Sequence, residues 1–171
     1  MKKTREFLAV FAVLIYIVFS VGCNGGAVES ESFGETNTLS AKEIIQKLAD
    51  ESGDNNLNTL AFFDEDIFKN NCEKLYGISY EVLSDGGIVF AGSGGLADEV
   101  TILKAKDGNI KKLTSMLESR IERRISDFTG YKPTEISKIE KAVVFECGGF
   151  AILIISDNGE ILKHQIEEII S

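Results

Sequence analysis

Tryptophan is absent from the sequence, proline occurs once at Pro133 and histidine once at His164. One histidine and three cysteines without a Cys-x-x-Cys pair are too few soft ligands for a zinc site, so no metal and no cofactor are expected. Positive charge is scarce as well: 18 Lys and Arg stand against 27 Asp and Glu, a formal charge of -9. Three of those bases fall in the first six residues, so the rest of the chain is more acidic still. Such a surface repels nucleic-acid phosphate, and no nucleic-acid partner is expected. With 44% hydrophobic and 26% charged residues, the composition is that of a folded protein rather than a disordered one. The residues beyond 22 suffice for one compact domain with its own core.

No apolar run is long enough for a permanent membrane helix, which needs about 20 residues to cross the hydrocarbon. The run from Phe7 to Phe19 is shorter, follows Lys2, Lys3 and Arg5, and exits through Ser20-Val21-Gly22-Cys23. Basic start, short apolar stretch and small-residue exit are the three zones of a secretory signal. The exit resembles the lipobox of bacterial lipoproteins, although Ser20 stands where that motif usually has Leu. It implies diacylglycerol on the Cys23 thiol and cleavage before that residue; an ordinary signal peptide or an uncleaved anchor are the competing readings. Two acyl chains at about 0.8 kcal/mol per buried CH2 hold a protein stably to a bilayer. The expected organisation is therefore a signal at 1–22, a Gly-, Ser- and Glu-rich tether at 23–39 and one domain at 40–171.

Ser40-Ala41-Lys42-Glu43 is a capping box and predicts a first helix to about Asp50, with Ile44, Ile45 and Leu48 inward. Residues 51–58 read as a loop. A second helix is predicted from Asp64, with Ile67, Phe68, Cys72 and Leu75 toward the core and a stop at Gly77. Strands are predicted at 87–91, 100–105, 142–147 and 150–156. A long amphipathic helix starts near Asn109, with Ile110, Leu113, Leu117, Ile121, Ile125 and Phe128 as its stripe. A last helix spans 158–170 and turns Ile161, Leu162, Ile166, Ile169 and Ile170 inward. The fold class is α+β, an antiparallel sheet of about four strands packed by helices. Ile88-Val89-Phe90 followed by Gly94-Gly95 parallels Val143-Val144-Phe145 followed by Gly148-Gly149. The halves read either as a strand-strand-helix repeat with both helices on one sheet face, or as a coincidence of pattern.

Tyr76-Gly77-Ile78, Ala97-Asp98-Glu99-Val100-Thr101-Ile102-Leu103-Lys104, Tyr131-Lys132-Pro133 and Ala142-Val143-Val144 recur in that order in one family. Over residues 57–170 the chain resembles the DUF4358 proteins, lipoproteins mainly of Firmicutes. The resemblance implies an exported lipoprotein with a domain of unknown function, and it carries no catalytic residues. It also implies a host with few exported disulfides. Cys72 and Cys147 form an even pair outside the cytosol, which permits a bridge, but the resemblance favours two free buried thiols.

Asp98 and Glu99 at a strand entry could bind a cation or serve as acid and base; a solvated strand entry is the preferred reading, because no basic partner sits at a fixed spacing. His164 falls on a polar flank, and a Cys-His nucleophile pair is disfavoured because Cys72 shares a stripe with Phe68 and Leu75. Gly92-Ser93-Gly94-Gly95 precedes a strand rather than a helix, so it reads as a hairpin tip and not a phosphate cradle. Lys112, Arg120 and Arg123 fall outside the stripe of the long helix, with Lys111 and Arg124 near them. They read as a solvated flank, or as a docking edge for an anionic envelope component or another envelope protein. The expected function is a non-enzymatic binding or accessory module, lipid-anchored on the extracytoplasmic face of the cell membrane. The alternative is a cell-envelope hydrolase using Asp98 or Glu99 as acid or base.

Overall fold

The computed structural model describes residues 39–52 and 56–171. The signal segment, Cys23 and the tether lie outside the described residues. Helix α1 (Ala41–Ser52) starts at the capping box: the Ser40 N–H donates to Glu43 Oε2 at 2.7 Å, and the Glu43 N–H to Ser40 Oγ at 3.3 Å. Strand β1 (Leu57–Phe62) begins inside the segment expected to be a loop. Its Asn58, Thr59 and Leu60 are consecutively exposed, so it lacks the alternation that marks a half-buried strand.

Helix α2 (Asp66–Asn71) runs into a π-helical turn (Cys72–Tyr76) and stops at Gly77, whose φ of 69° suits a residue without Cβ. Phe68, Cys72 and Tyr76, four residues apart, form its buried face. Ile67, expected in the core, is 52% exposed because it sits about 100° around the helix from Phe68. A 3-10 turn (Tyr80–Val82) leads to strands β2 (Leu83–Ala91) and β3 (Glu99–Ala105), then to α3 (Ile110–Thr129). Pro133 opens a 3-10 turn (Pro133–Glu135) that continues as α4 (Ile136–Ile139), neither of which the sequence pattern announces. Strands β4 (Val143–Cys147) and β5 (Phe150–Ile155) and helix α5 (Gly159–Ile170) complete the chain.

The sheet has five strands in the order β1-β2-β3-β5-β4, every neighbouring pair antiparallel. This is the expected α+β class with β1 added. Successive strand residues feed opposite faces. Leu103, Ala151, Leu153 and Ile155 pack with Phe68, Tyr76, Leu113 and Leu117 under α2 and α3. Val100, Ile102, Ile152 and Ile154 pack with Ile44, Leu48, Leu162 and Ile166 under α1 and α5.

The two hairpins therefore share one sheet, as a repeat requires, but their helices part to opposite faces, contrary to the expected single layer. At 20 residues, or about 30 Å, α3 packs across β3, β5 and β4 on one face, where α2 and the π-helical turn also lie. Helix α5 packs instead beside α1 on the other face. Ile161 is a second correction: it is 61% exposed, because Leu162 and Ile166 take the buried side of α5. Among the described residues no helix is long and apolar enough to cross a membrane.

Candidate functional site

Asp98 and Glu99, expected to be solvated, are both buried where β3 begins. An isolated carboxylate in such a place would cost several kcal/mol, so each must be paired. Glu99 accepts hydrogen bonds from Arg120 Nε at 3.3 Å and Arg120 Nη2 at 2.9 Å, in bidentate fashion. The Tyr76 hydroxyl donates to Glu99 Oε1 at 2.7 Å and lies 2.7 Å from Thr101 Oγ1. Arg124 Nε is 3.5 Å from Glu99 Oε2, an ion pair without a well-aligned hydrogen bond, while its Nη2 donates to the Ala97 carbonyl at 3.0 Å.

Asp98 turns the other way and meets Lys138 of α4, whose Nζ donates to Asp98 Oδ2 at 2.7 Å and to Glu135 Oε2 at 3.1 Å. Glu135 in turn accepts the Ala97 N–H at 3.0 Å. The Ala97 peptide is thus gripped by Arg124 at its oxygen and by Glu135 at its nitrogen. Lys132 Nζ donates to the Gly95 carbonyl at 2.6 Å and holds the hairpin tip from the same side. The Gly92–Gly95 segment is the hairpin tip expected, closed by a Leu96 N–H to Ser93 carbonyl bond at 3.1 Å.

The electrostatics follow from burial and pairing. Burial, and then the charge of Glu99, push the Tyr76 hydroxyl well above its ordinary range, so it stays protonated and donates. Burial works against the charge of Arg120, but Glu99 more than offsets it and raises that guanidinium. Arg124 is lowered, because its burial outweighs the share of Glu99 it receives beside Arg120. Lys138 is raised: burial opposes its charge, but the hydrogen bonds to Asp98 and Glu135 prevail.

A family model described as a domain of unknown function, DUF4358, matches residues 52–156. The chain belongs to that family. No curated protein and no solved structure matches it. Three of the segments that carry the DUF4358 resemblance meet in the network: Tyr76 reaches Glu99, and Lys132 holds the loop leading into Ala97-Asp98-Glu99. These segments interlock one end of the sheet with α3 and α4.

Lys138 Nζ also lies 3.6 Å from Oδ2 of the exposed Asp157, so the network reaches the surface there. Both oxygens of Glu99 are occupied, and neither Glu99 nor Asp98 lines any of three clefts on the described surface. The first, about 430 Å³, lies at Lys141, Ser156, Asp157 and Glu160; the second, about 340 Å³, lies between Ser40, Phe62, Phe63 and Asp85. The third is a shallow hollow on α5 beside Ile161 and His164. His164 is exposed there, 3.5 Å from Glu168. Among the described residues no group of three His, Cys, Asp or Glu is placed to hold a metal.

Of the suggested docking residues, Lys112 and Arg123 are exposed but Arg120 is not. The stripe of α3 is broader than its apolar residues: Leu113, Leu117, Arg120, Arg124 and Phe128 follow one another at spacings of four, three, four and four, and Arg120 sits inside it. Arg123 donates to the Tyr76 carbonyl at 2.8 Å and so closes the end of the π-helical turn. Cys72 and Cys147 are both free. Cys72 is buried under α2 and Cys147 is half-buried on the α5 face, so the sheet separates them.

Proposed function

We propose that this DUF4358 protein is an exported lipoprotein, held to the extracytoplasmic face of the cell membrane by lipid on Cys23, whose domain is a non-enzymatic binding or accessory module. The signal-like start and the Ser20-Val21-Gly22-Cys23 exit support the anchor. The observation that carries the module reading is that Asp98 and Glu99, the only carboxylates singled out for acid-base work, are tied up by Lys138, Arg120 and Tyr76 and line none of the three clefts described. A general base has to reach its substrate proton within about 3 Å, and both carboxylates are instead engaged by buried cations. Exposed Lys112, and the guanidinium nitrogens of Arg123 not given to the Tyr76 carbonyl, would meet an anionic envelope component or another envelope protein.

Metabolic labelling with palmitate tests the anchor: the full chain should carry label and fractionate with membranes, and Cys23→Ala should lose both. Unlabelled, wholly soluble wild-type protein would end this reading. For the module, crosslinking in intact cells followed by pull-down should recover an envelope component. Release of soluble fragments from isolated cell envelopes by the wild-type chain, detected by mass spectrometry, would instead establish a hydrolase.

A further inference from the structure

Two of the three clefts on the described surface adjoin along the outer side of α5, since Glu160 and Ile161 line both. Ile161 is 61% exposed, while Leu162 and Ile166 hold the inner side of the helix to the sheet. Leu60, Ile67 and Tyr131 are the other exposed large apolar side chains among the described residues, and none of them lines any of the three clefts. Around Ile161 the groove is acidic. Asp157, Glu160 and Glu168 line it against Lys141 as its one lysine, and exposed Glu140 stands beside Lys141. Lys163, next along the helix, lies over the Phe145 ring at 5.5 Å instead. Two amides in the groove are unengaged as well: the Asn158 side chain makes no cap bond to α5, and Gln165 Oε1 has no hydrogen-bond partner.

We infer that this groove binds a cationic, amphipathic segment of another envelope protein, with an apolar side chain set over Ile161 and lysine or arginine side chains at Asp157, Glu160 and Glu168. Charge complementarity selects the class of partner. The same carboxylates repel anionic lipid and polyanionic polymers, and the apolar centre gives a small polycation nothing to bury. A polypeptide supplies both an apolar side chain and flanking cations, and its peptide groups suit the Asn158 and Gln165 amides, which donate and accept alike. The assignment rests on the binding-module reading and names a surface apart from Lys112 and Arg123 of α3.

The groove also opens at the end of the sheet away from where the chain enters the domain. The Ala41 N–H bonds Asp85 at 2.8 Å, Asp85 lies opposite Lys104, and Lys104 lies opposite Phe150, so the segment from Cys23 joins at that end. Asp157 and Asn158 follow Ile155, which pairs with Glu99 at the other end. A partner therefore reaches Asp157 and Ile161 without displacing the start of α1.

Fluorescence anisotropy tests the groove with a labelled, amidated hexapeptide that has two lysines on each side of a Leu-Phe pair, titrated with the full chain in non-ionic detergent against detergent alone. Binding should saturate. It should weaken about tenfold in Ile161→Ser, and about tenfold at low salt but less at high salt in Glu160→Gln with Glu168→Gln. Leu60→Ser, and Glu118→Gln with Glu122→Gln, are exposed elsewhere and should leave it unchanged. With benzoyl-phenylalanine in place of the phenylalanine, the peptide should crosslink within residues 157–168. No binding, equal losses in both sets of variants, equal binding of a peptide with two central serines, or crosslinks elsewhere on the chain would overturn the assignment. The module reading fails separately, by release of envelope fragments.

Discussion

Arg120 of α3 reaches across the interior to clasp Glu99 of β3 with two of its nitrogens, and the guanidinium also lies 5.2 Å from the Tyr76 ring centre. Taking away Arg120 leaves the buried Glu99 with only the Tyr76 hydroxyl and the poorly aligned Arg124 to hold its charge. Arg120→Ala should therefore destabilise the domain by about 3–5 kcal/mol, while replacing both members, as in Glu99→Leu with Arg120→Met, should cost far less. Urea unfolding followed by circular dichroism decides the matter. Additive losses in the double variant would mean that the two side chains are not coupled.

Leu117 and Arg123 separate packing from surface on one helix. Leu117 is wholly buried against the sheet, so Leu117→Ala should cost about 2–5 kcal/mol through lost contact and a cavity. Arg123 is exposed but bonds the Tyr76 carbonyl, so Arg123→Ala should cost about 1 kcal/mol, the usual worth of one such bond. The same unfolding experiment measures both, and equal losses would contradict the orientation of α3.

Cysteine chemistry should distinguish the two faces of the sheet. Burial pushes the Cys72 thiol up from 9.0 to about 12, so in the folded protein it should resist alkylation at pH 8 while half-exposed Cys147 reacts first. The unfolded chain loses that proton more readily, so the stability contributed by Cys72 is complete below pH 9 and fades as pH rises toward 12. Replacing it by alanine should remove that alkaline component; an unchanged slope of stability against pH between 9 and 12 would show that Cys72 is not its source.

Four helices and four strands were legible because periodicity reports burial directly, and the Ser40–Glu43 cap and Gly77 stop because their chemistry is local. Strand β1 was not, since an edge strand exposed at three successive residues carries no alternation. The division of α3 and α5 between faces depends on space, which no local pattern encodes. The ion network was hidden for a related reason: Arg120 and Lys138 are 21 and 40 residues from their carboxylates, so no spacing rule joins them. Two signals did point to it. Arg120 falls within the buried stripe of α3, and Glu99 shares its side of β3 with Thr101 and Leu103.

Strand β5 is buried and apolar on both sides, from Phe150 to Ile155, so hydrophobicity alone does not tell its two faces apart. Shifted by one residue against β3, it would still offer hydrocarbon to both cores. Strand β3 breaks the tie, because Glu99 and Thr101 can be satisfied only beneath Tyr76 and Arg120. A β3 turned over by a one-residue slip would carry a carboxylate into the hydrocarbon between α1 and α5, with no cation to meet it. The charges inside this domain thus act as a key to alignment, and the central strands owe their single arrangement to a few polar atoms.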